Sequence, residues 1–373
     1  MARPRSLAWS LAAAWVCLMV YASLHPFEGW QLPTNPAARV FVLGPPQPRG
    51  VSRFDIVANL LGYLPLGALL TTALIRDGRS WCVAAAVAIL GSSALSYAME
   101  TLQHLLPRRV PSIYDWGLNS AGAALGAALV VAADAVGGLA RWQRWRERWF
   151  LRGRGFGLAL LLLWPFGLLF PPPLPFGLGQ VVARLRELGA DMLAGTPWDG
   201  WLQPPGGPHS GTPLAPAGEL LGIVAGLLGP TLLAYAITRP GARRLVLLGG
   251  AMLLGVSVTT LSTALNFGPD HAFAWLTRPV APALALTAAI ALPLAWAPGR
   301  VAAAVALLAI SAGLAVVNAA PSDAYYAESL QSWEQGRFIR FHGLTQWVGW
   351  AWPWAALAYL LGRVASRHEP PET

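Results

Sequence analysis

The sequence predicts an all-α, polytopic transmembrane helical bundle of about ten spans, with both termini in the cytoplasm. Three observations predict it. Only 12% of the 373 residues are charged and 55% are hydrophobic, for a mean hydropathy of +0.50, whereas a soluble domain carries about 25% charged residues. Uncharged apolar runs recur from end to end, each long enough to cross a hydrocarbon core of roughly 30 Å. Between these runs the charge falls in short arginine blocks; the net charge is +9 and the chain has no lysine.

Taken in order, hydropathy gives spans at 7–24, 56–75, 81–103, 113–133, 156–170, 218–237, 245–265, 279–297, 301–317 and 344–361. The fifth runs into Pro171-Pro172-Pro173, which blurs its end. Orientation follows from the arginines. With the N-terminus inside, the cytoplasmic segments hold Arg3, Arg5, Arg76, Arg79, the run from Arg141 to Arg154, Arg239, Arg243, Arg244, Arg300, Arg363 and Arg367. These short segments hold most of the basic charge, as the positive-inside rule requires. Such a chain is expected to be multi-pass in the bacterial inner (cytoplasmic) membrane. Arg3, Arg5 and the apolar stretch to Val20-Tyr21-Ala22 also read as a cleavable signal peptide, and either reading leaves the other nine helices in the same orientation. A basic chain can signal nucleic-acid binding. No nucleic-acid motif is present here, so no such partner is expected.

The sharpest break in composition is 141–154, where arginine alternates with tryptophan. It reads either as an interfacial segment on anionic lipid or as a stop signal that fixes topology. It divides the chain into a four-helix membrane domain at 1–136, a basic cytoplasmic linker at 137–154 and a six-helix membrane domain at 155–373. Three outside segments are long: 25–55, 171–217 and 318–343. In the second, Val181, Leu185, Leu188 and Met192 recur at helical spacing, which predicts an amphipathic helix on the membrane face. The third, with Tyr325, Tyr326, Trp333, Arg337, Arg340 and His342, reads as another interfacial helix or a lid. A faint internal duplication accompanies the division. Pro26-Phe27 and Pro175-Phe176 open two loops, and an offset of 162 puts Pro107 on Pro269, His104 on Asn266, Arg109 on His271, Glu100 on Ser262 and Asp115 on Thr277. Asn266, Asp270 and His271 read as a solvated outer turn. Cys17 and Cys82 lie in apolar runs without metal spacing; no disulfide, metal or cofactor follows from them.

Polar residues are costly inside spans, so their placement is informative. They concentrate in 54–126. The second span opens with Asp55 and Asn59, four apart on one face, followed by Gly62, Pro65 and Gly67. The third ends with Glu100, Gln103 and His104; a turn follows with Pro107, Arg108 and Arg109. The fourth starts with Asp115 and Asn119, then Gly122 and Gly126, a surface for close helix approach. Because the second span enters from outside, the third exits there and the fourth re-enters, all these side chains fall within roughly two turns of the outer surface. One outward-facing pocket is predicted.

The order D-x3-N with P-x-G, E-x2-Q, a Pro-Arg turn and D-x3-N-x2-G-x3-G resembles the VanZ-like family over about residues 50–130. The resemblance implies a small all-helical membrane domain, associated with glycopeptide-resistance clusters and low-level teicoplanin resistance. Matching its pattern, the expected ligand-binding residues are Asp55, Asn59, Glu100, Gln103, Arg109, Asp115 and Asn119; Arg108 is included because either arginine could occupy the turn position. His104 lies outside the pattern. The resemblance says nothing of residues 155–373.

Three functions suit this set. The first is recognition of an anionic cell-envelope lipid or a lipid-linked cell-wall intermediate, with Arg108 and Arg109 forking onto phosphate or carboxylate. The second is an enzyme acting on such a lipid, with Glu100 or Asp115 as general base and Arg109 stabilising charge, although no nucleophile is evident. The third is a purely structural cluster. Transport fits less well, since no charge stands at the middle of a span.

Overall fold

The structure is a computed structural model that describes residues 7–24, 27, 29–32, 53–107, 109, 111–151, 153–170, 172–198, 201, 214–320 and 339–366. Each of the ten expected spans is a helix. In chain order the helices are α1 (Leu7–Leu24), α2 (Arg53–Arg76), α3 (Trp81–Gln103), α4 (Ile113–Ala135), α5 (Gly138–Trp149), α6 (Gly155–Leu168), α7 (Val182–Leu193), α8 (Pro216–Ala236), α9 (Arg243–Phe267), α10 (Val280–Leu294), α11 (Gly299–Ala319) and α12 (Ile339–Ala365). Seven are long and apolar enough to cross a membrane: α1, α2, α3, α4, α8, α9 and α11. Helices α6 and α10 are apolar but shorter, and α12 runs 27 residues. The chain is a multi-pass, all-helical membrane protein.

The additional helices α5 and α7 are amphipathic. In α5, Trp142 and Trp145 are exposed and stack at 4.9 Å. In α7, Leu185 and Met192 are exposed, so that part of its apolar stripe lies open, as an interfacial helix requires. The segment 321–338, with Tyr325, Tyr326, Trp333 and Arg337, lies outside the described residues, as does Arg108.

The chain divides into two compact units, Met1–Arg146 and Glu147–Thr373. In the first, α2 packs along α4, with α3 against both and α1 against α2 and α3. Glycine sets the α2–α4 distance. A Cβ on Gly122 would stand 2.3 Å from the Leu60 carbonyl oxygen, one on Gly126 2.0 Å from that of Leu64, and one on Gly67 2.1 Å from that of Ala123. Backbone therefore meets backbone, the close approach that small residues allow in membranes. At the end away from Asp55, the indoles of Trp9 and Trp81 donate to Asp77 and Asp134, each at 2.9 Å. Such amphipathic rings are stable at headgroup level. Cys17 and Cys82 are both free and exposed.

In the second unit, α8 is the central helix, contacted by α6, α9, α10 and α11, while α12 packs on α6 and α11. The Trp352 indole donates to the Leu160 carbonyl at 2.7 Å, tying α12 to α6. Arg244, in the first turn of α9, is fully buried. Its guanidinium donates to the Thr238 carbonyl beyond the end of α8 (2.7 Å) and to the Ala297 carbonyl beyond the end of α10 (2.6 Å). It also lies 5.4 Å from the centre of the Tyr235 ring. Asn266 departs from expectation: it sits in the last turn of α9, not in a solvated turn, and its amide donates to the Leu169 carbonyl (3.2 Å). A terminal carbonyl left by α6 needs that partner. Asp270 and His271, in the following 3₁₀ turn, are exposed.

Candidate functional site

The site is built where α2 begins, α3 ends and α4 begins. The turn between α3 and α4 is fixed first. Ser112 caps α4: its hydroxyl accepts from the Asp115 backbone N–H at 3.4 Å. In a capping box, the residue three positions on would return a bond to the cap residue's own N–H. Here that N–H donates at 2.8 Å to Glu100 on α3. The arrangement ties α3 to α4 and leaves the Asp115 carboxylate to face α2. Asn59 lies beside it there, and Asp55 stands within electrostatic reach.

Glu100 is only 4% exposed, and Asp115 lies within its electrostatic reach. Three carboxylates from three helices thus gather at one end of the unit. Asn119, one turn below Asp115, is 5% exposed. Its Nδ2 donates to Ser96 Oγ on α3 at 2.9 Å, and its Oδ1 is buried without a partner. The Tyr63 hydroxyl, two turns into α2, lies beside Ser96 and within reach of Glu100, but makes no hydrogen bond of good geometry.

Two other expected residues face α1. The Gln103 amide donates to the Ser23 carbonyl (3.2 Å) and the Arg109 guanidinium to the Ala22 carbonyl (3.2 Å). Both supply donors to carbonyls of the last turn of α1, which a helix end leaves without intrahelical partners. His104, the C-terminal cap of α3, is half-buried. The structure therefore brings together Asp55, Asn59, Glu100, Asp115 and Asn119, and sets Gln103 and Arg109 at the seam with α1. Ser96, Ser112 and Tyr63 were not among the expected residues. A signal existed for each: Tyr63 continues the four-residue spacing of Asp55 and Asn59, Ser96 stands four before Glu100, and Ser112-x-x-Asp115 reads as a helix start.

Among the described residues, no three His, Cys, Asp or Glu converge as a metal site would. A pocket in the second unit, lined by Trp164, Phe176, Ile310, Leu314, Trp352 and Pro353 among others, includes none of the candidate residues. Ser112→Ala is expected to destabilise the first unit by about 1 kcal/mol. Thermal unfolding in detergent measures this, and Ser112→Asp, also a good cap, should recover most of it.

The family model described as VanZ/LLP1 matches residues 8–134. No curated protein and no solved structure matches the chain.

Proposed function

With residues 8–134 a VanZ-like domain, we propose that its polar cluster faces the outside of the bacterial inner membrane and recognises an anionic cell-envelope lipid or a lipid-linked cell-wall intermediate. The observation that carries this is the placement of Asp55, Glu100 and Asp115 at the ends of three different helices, with Asp115 within electrostatic reach of the other two and Asn59 beside it. Like charges gathered at helix ends repel one another, and one carboxylate would have sufficed to cap the turn. A ligand rich in hydroxyl and amide donors, carrying phosphate for Arg109, would make use of all three. Depth supports the same reading: the residues lie within roughly two turns of their helix ends, where a headgroup would be.

A structural role is the second reading, favoured by a specific observation. Gln103, Arg109 and Asn119 all donate to groups of the domain itself, and Glu100 accepts from the Ser112 N–H. An enzyme acting on the same lipid would use Glu100 or Asp115 as base.

Native mass spectrometry of co-purifying lipids separates the three. Recognition predicts an anionic lipid or lipid-linked sugar on the wild type, reduced about tenfold or more in Arg109→Ala by loss of a charge-assisted bond. An enzyme predicts a species that accumulates only on Glu100→Gln. If every form carries bulk phospholipid alone, the cluster is structural. Orientation has its own check in a background lacking Cys17 and Cys82. A cysteine at exposed Tyr114 should react with an impermeant maleimide from outside, and one at Gly78 should not; the reverse result overturns the outward site.

A further inference from the structure

We propose that Tyr63 and Asn119 form the floor of this site, contacting a neutral hydroxyl-bearing part of the headgroup whose phosphate is held by Arg109. The proposal rests on the recognition reading above. Its first ground is free bonding capacity in a buried place. The Tyr63 hydroxyl can donate and the Asn119 Oδ1 can accept; both are buried, the first makes no hydrogen bond of good geometry although Ser96 lies beside it, and the second accepts none. Buried polar groups are nearly always bonded, so a pair left open on adjacent helices calls for an explanation. Ser96 is the positioning residue: by accepting from Asn119 Nδ2, it fixes which end of the amide is left open. A hydroxyl group is the simplest occupant, because it accepts from Tyr63 and donates to Asn119 at once.

The second ground is a control within the same chain. Helices α6, α8, α9 and α10 pair in the pattern of α1, α2, α3 and α4: first with second, first with third, second with third, second with fourth, third with fourth. Among the described residues, the non-glycine residues with positive φ are Phe27 and Phe176, each at 63°, each after a proline beyond the first helix of its set. The amide of Asn266 reaches Leu169 at the end of α6 just as that of Gln103 reaches Ser23 at the end of α1. Glu219, opening Glu-Leu-Leu-Gly where α2 has Asn59-Leu-Leu-Gly, accepts from Thr277 at the start of the α10 region, and Asn59 lies beside Asp115 at the start of α4. These bonds shift the register of α9 by one from the sequence offset of 162. Gln103, not His104, matches Asn266, and Glu100 matches Thr263 rather than Ser262. The buried positions 92, 96, 99 and 100 then fall on 255, 259, 262 and 263.

In that register the second set keeps the architecture and omits the floor. Ile223, buried at 1% exposure, stands where Tyr63 does. The buried residues of α10 nearest that end are Val280 and Ala283. Ser96 retains a hydroxyl counterpart in Thr259. The fold can therefore be made with an aliphatic residue in place of Tyr63, and among the described residues the second set shows no counterpart of the Tyr63–Asn119 pair, its own open group being the Thr259 hydroxyl.

The test uses the full chain reconstituted in phosphatidylcholine vesicles doped with phosphatidylglycerol or with phosphatidic acid. Both dopants present an anionic phosphate, but only the first adds a neutral diol. The wild type should prefer phosphatidylglycerol by about threefold to tenfold, the range of one or two neutral hydrogen bonds. Tyr63→Phe should bring that ratio close to one, and Ser96→Ala, which releases Asn119, should lower it if Tyr63→Phe fails to fold. A ratio near one in the wild type, or a preference that survives both variants, overturns the floor and leaves anionic recognition standing. Equal retention of both dopants and phosphatidylcholine, or no effect of Arg109→Gln on either dopant, overturns the recognition reading and the floor with it.

Discussion

Gly126→Leu is expected to prevent the first unit from folding. A single added carbon at this position would lie 2.0 Å from the Leu64 carbonyl oxygen and 2.9 Å from the Ala68 nitrogen, both backbone atoms. A side chain in the way could rotate; a helix backbone cannot. Relief requires α2 and α4 to separate, which also opens the Gly122–Leu60 and Gly67–Ala123 contacts. Overpacking a core ordinarily costs about 1–3 kcal/mol, and here the contacts share one seam and fail together. The same separation would pull Asn59 away from Asp115. We expect Gly126→Ala to lower the unfolding temperature measurably and Gly126→Leu to yield no folded protein on size-exclusion chromatography. Gly91 and Gly117, with nothing within 4 Å of an added Cβ, are the controls: alanine there should be neutral or stabilising by up to about 1 kcal/mol. A folded Gly126→Leu would show that the α2–α4 seam does not hold the unit.

Arg244→Met should have the largest effect in the second unit, about 3–5 kcal/mol, as expected for removing one partner of a buried charged network. The guanidinium stands at the negative ends of two helices at once. It bonds the Thr238 carbonyl after α8 and the Ala297 carbonyl after α10, with the 294 and 295 carbonyls at 3.4 Å. Helix C-termini leave such carbonyls without intrahelical donors and favour a cation there. Methionine fills the volume but strands them in a buried place. Lysine keeps the charge without the fork, so it cannot span both carbonyls and should recover less than half the loss. Thermal unfolding of the three proteins measures this; indistinguishable melting would mean that water takes over the role of the guanidinium.

The ten spans were legible because hydropathy is a bulk property of each segment, indifferent to which residue meets which. The seam was legible too: Gly122 and Gly126 are spaced for close approach, and they make one. Arg244 illustrates where such reading ends. In the sequence it belongs to a basic block that reads as a signal of orientation, and nothing in that block marks it as the one that turns inward to bond two helix ends. Glu100 is similar. Its position predicts a polar helix end, but its partner is a main-chain N–H twelve residues on, and main-chain donors are the same in every sequence. The register of the second helical set was missed by one residue for a related reason: prolines in the turns suggested one alignment, and the bonds of Gln103 and Asn266 impose another.

The tie between α12 and α6 has a consequence for how the protein is made. Trp352 and Leu160 are 192 residues apart, so α6, which meets α8 and α9 earlier, gains α12 only after all the other helices have been made. The first unit has no such delay, since its four helices are consecutive and all lie before residue 136. It can assemble in the membrane while the rest is still being synthesised. Meanwhile α6, only 14 residues long and so about 21 Å at helical rise, is too short to cross the bilayer core unaided. During that interval α8 and α9 are its partners within the unit, and α12 completes its surroundings.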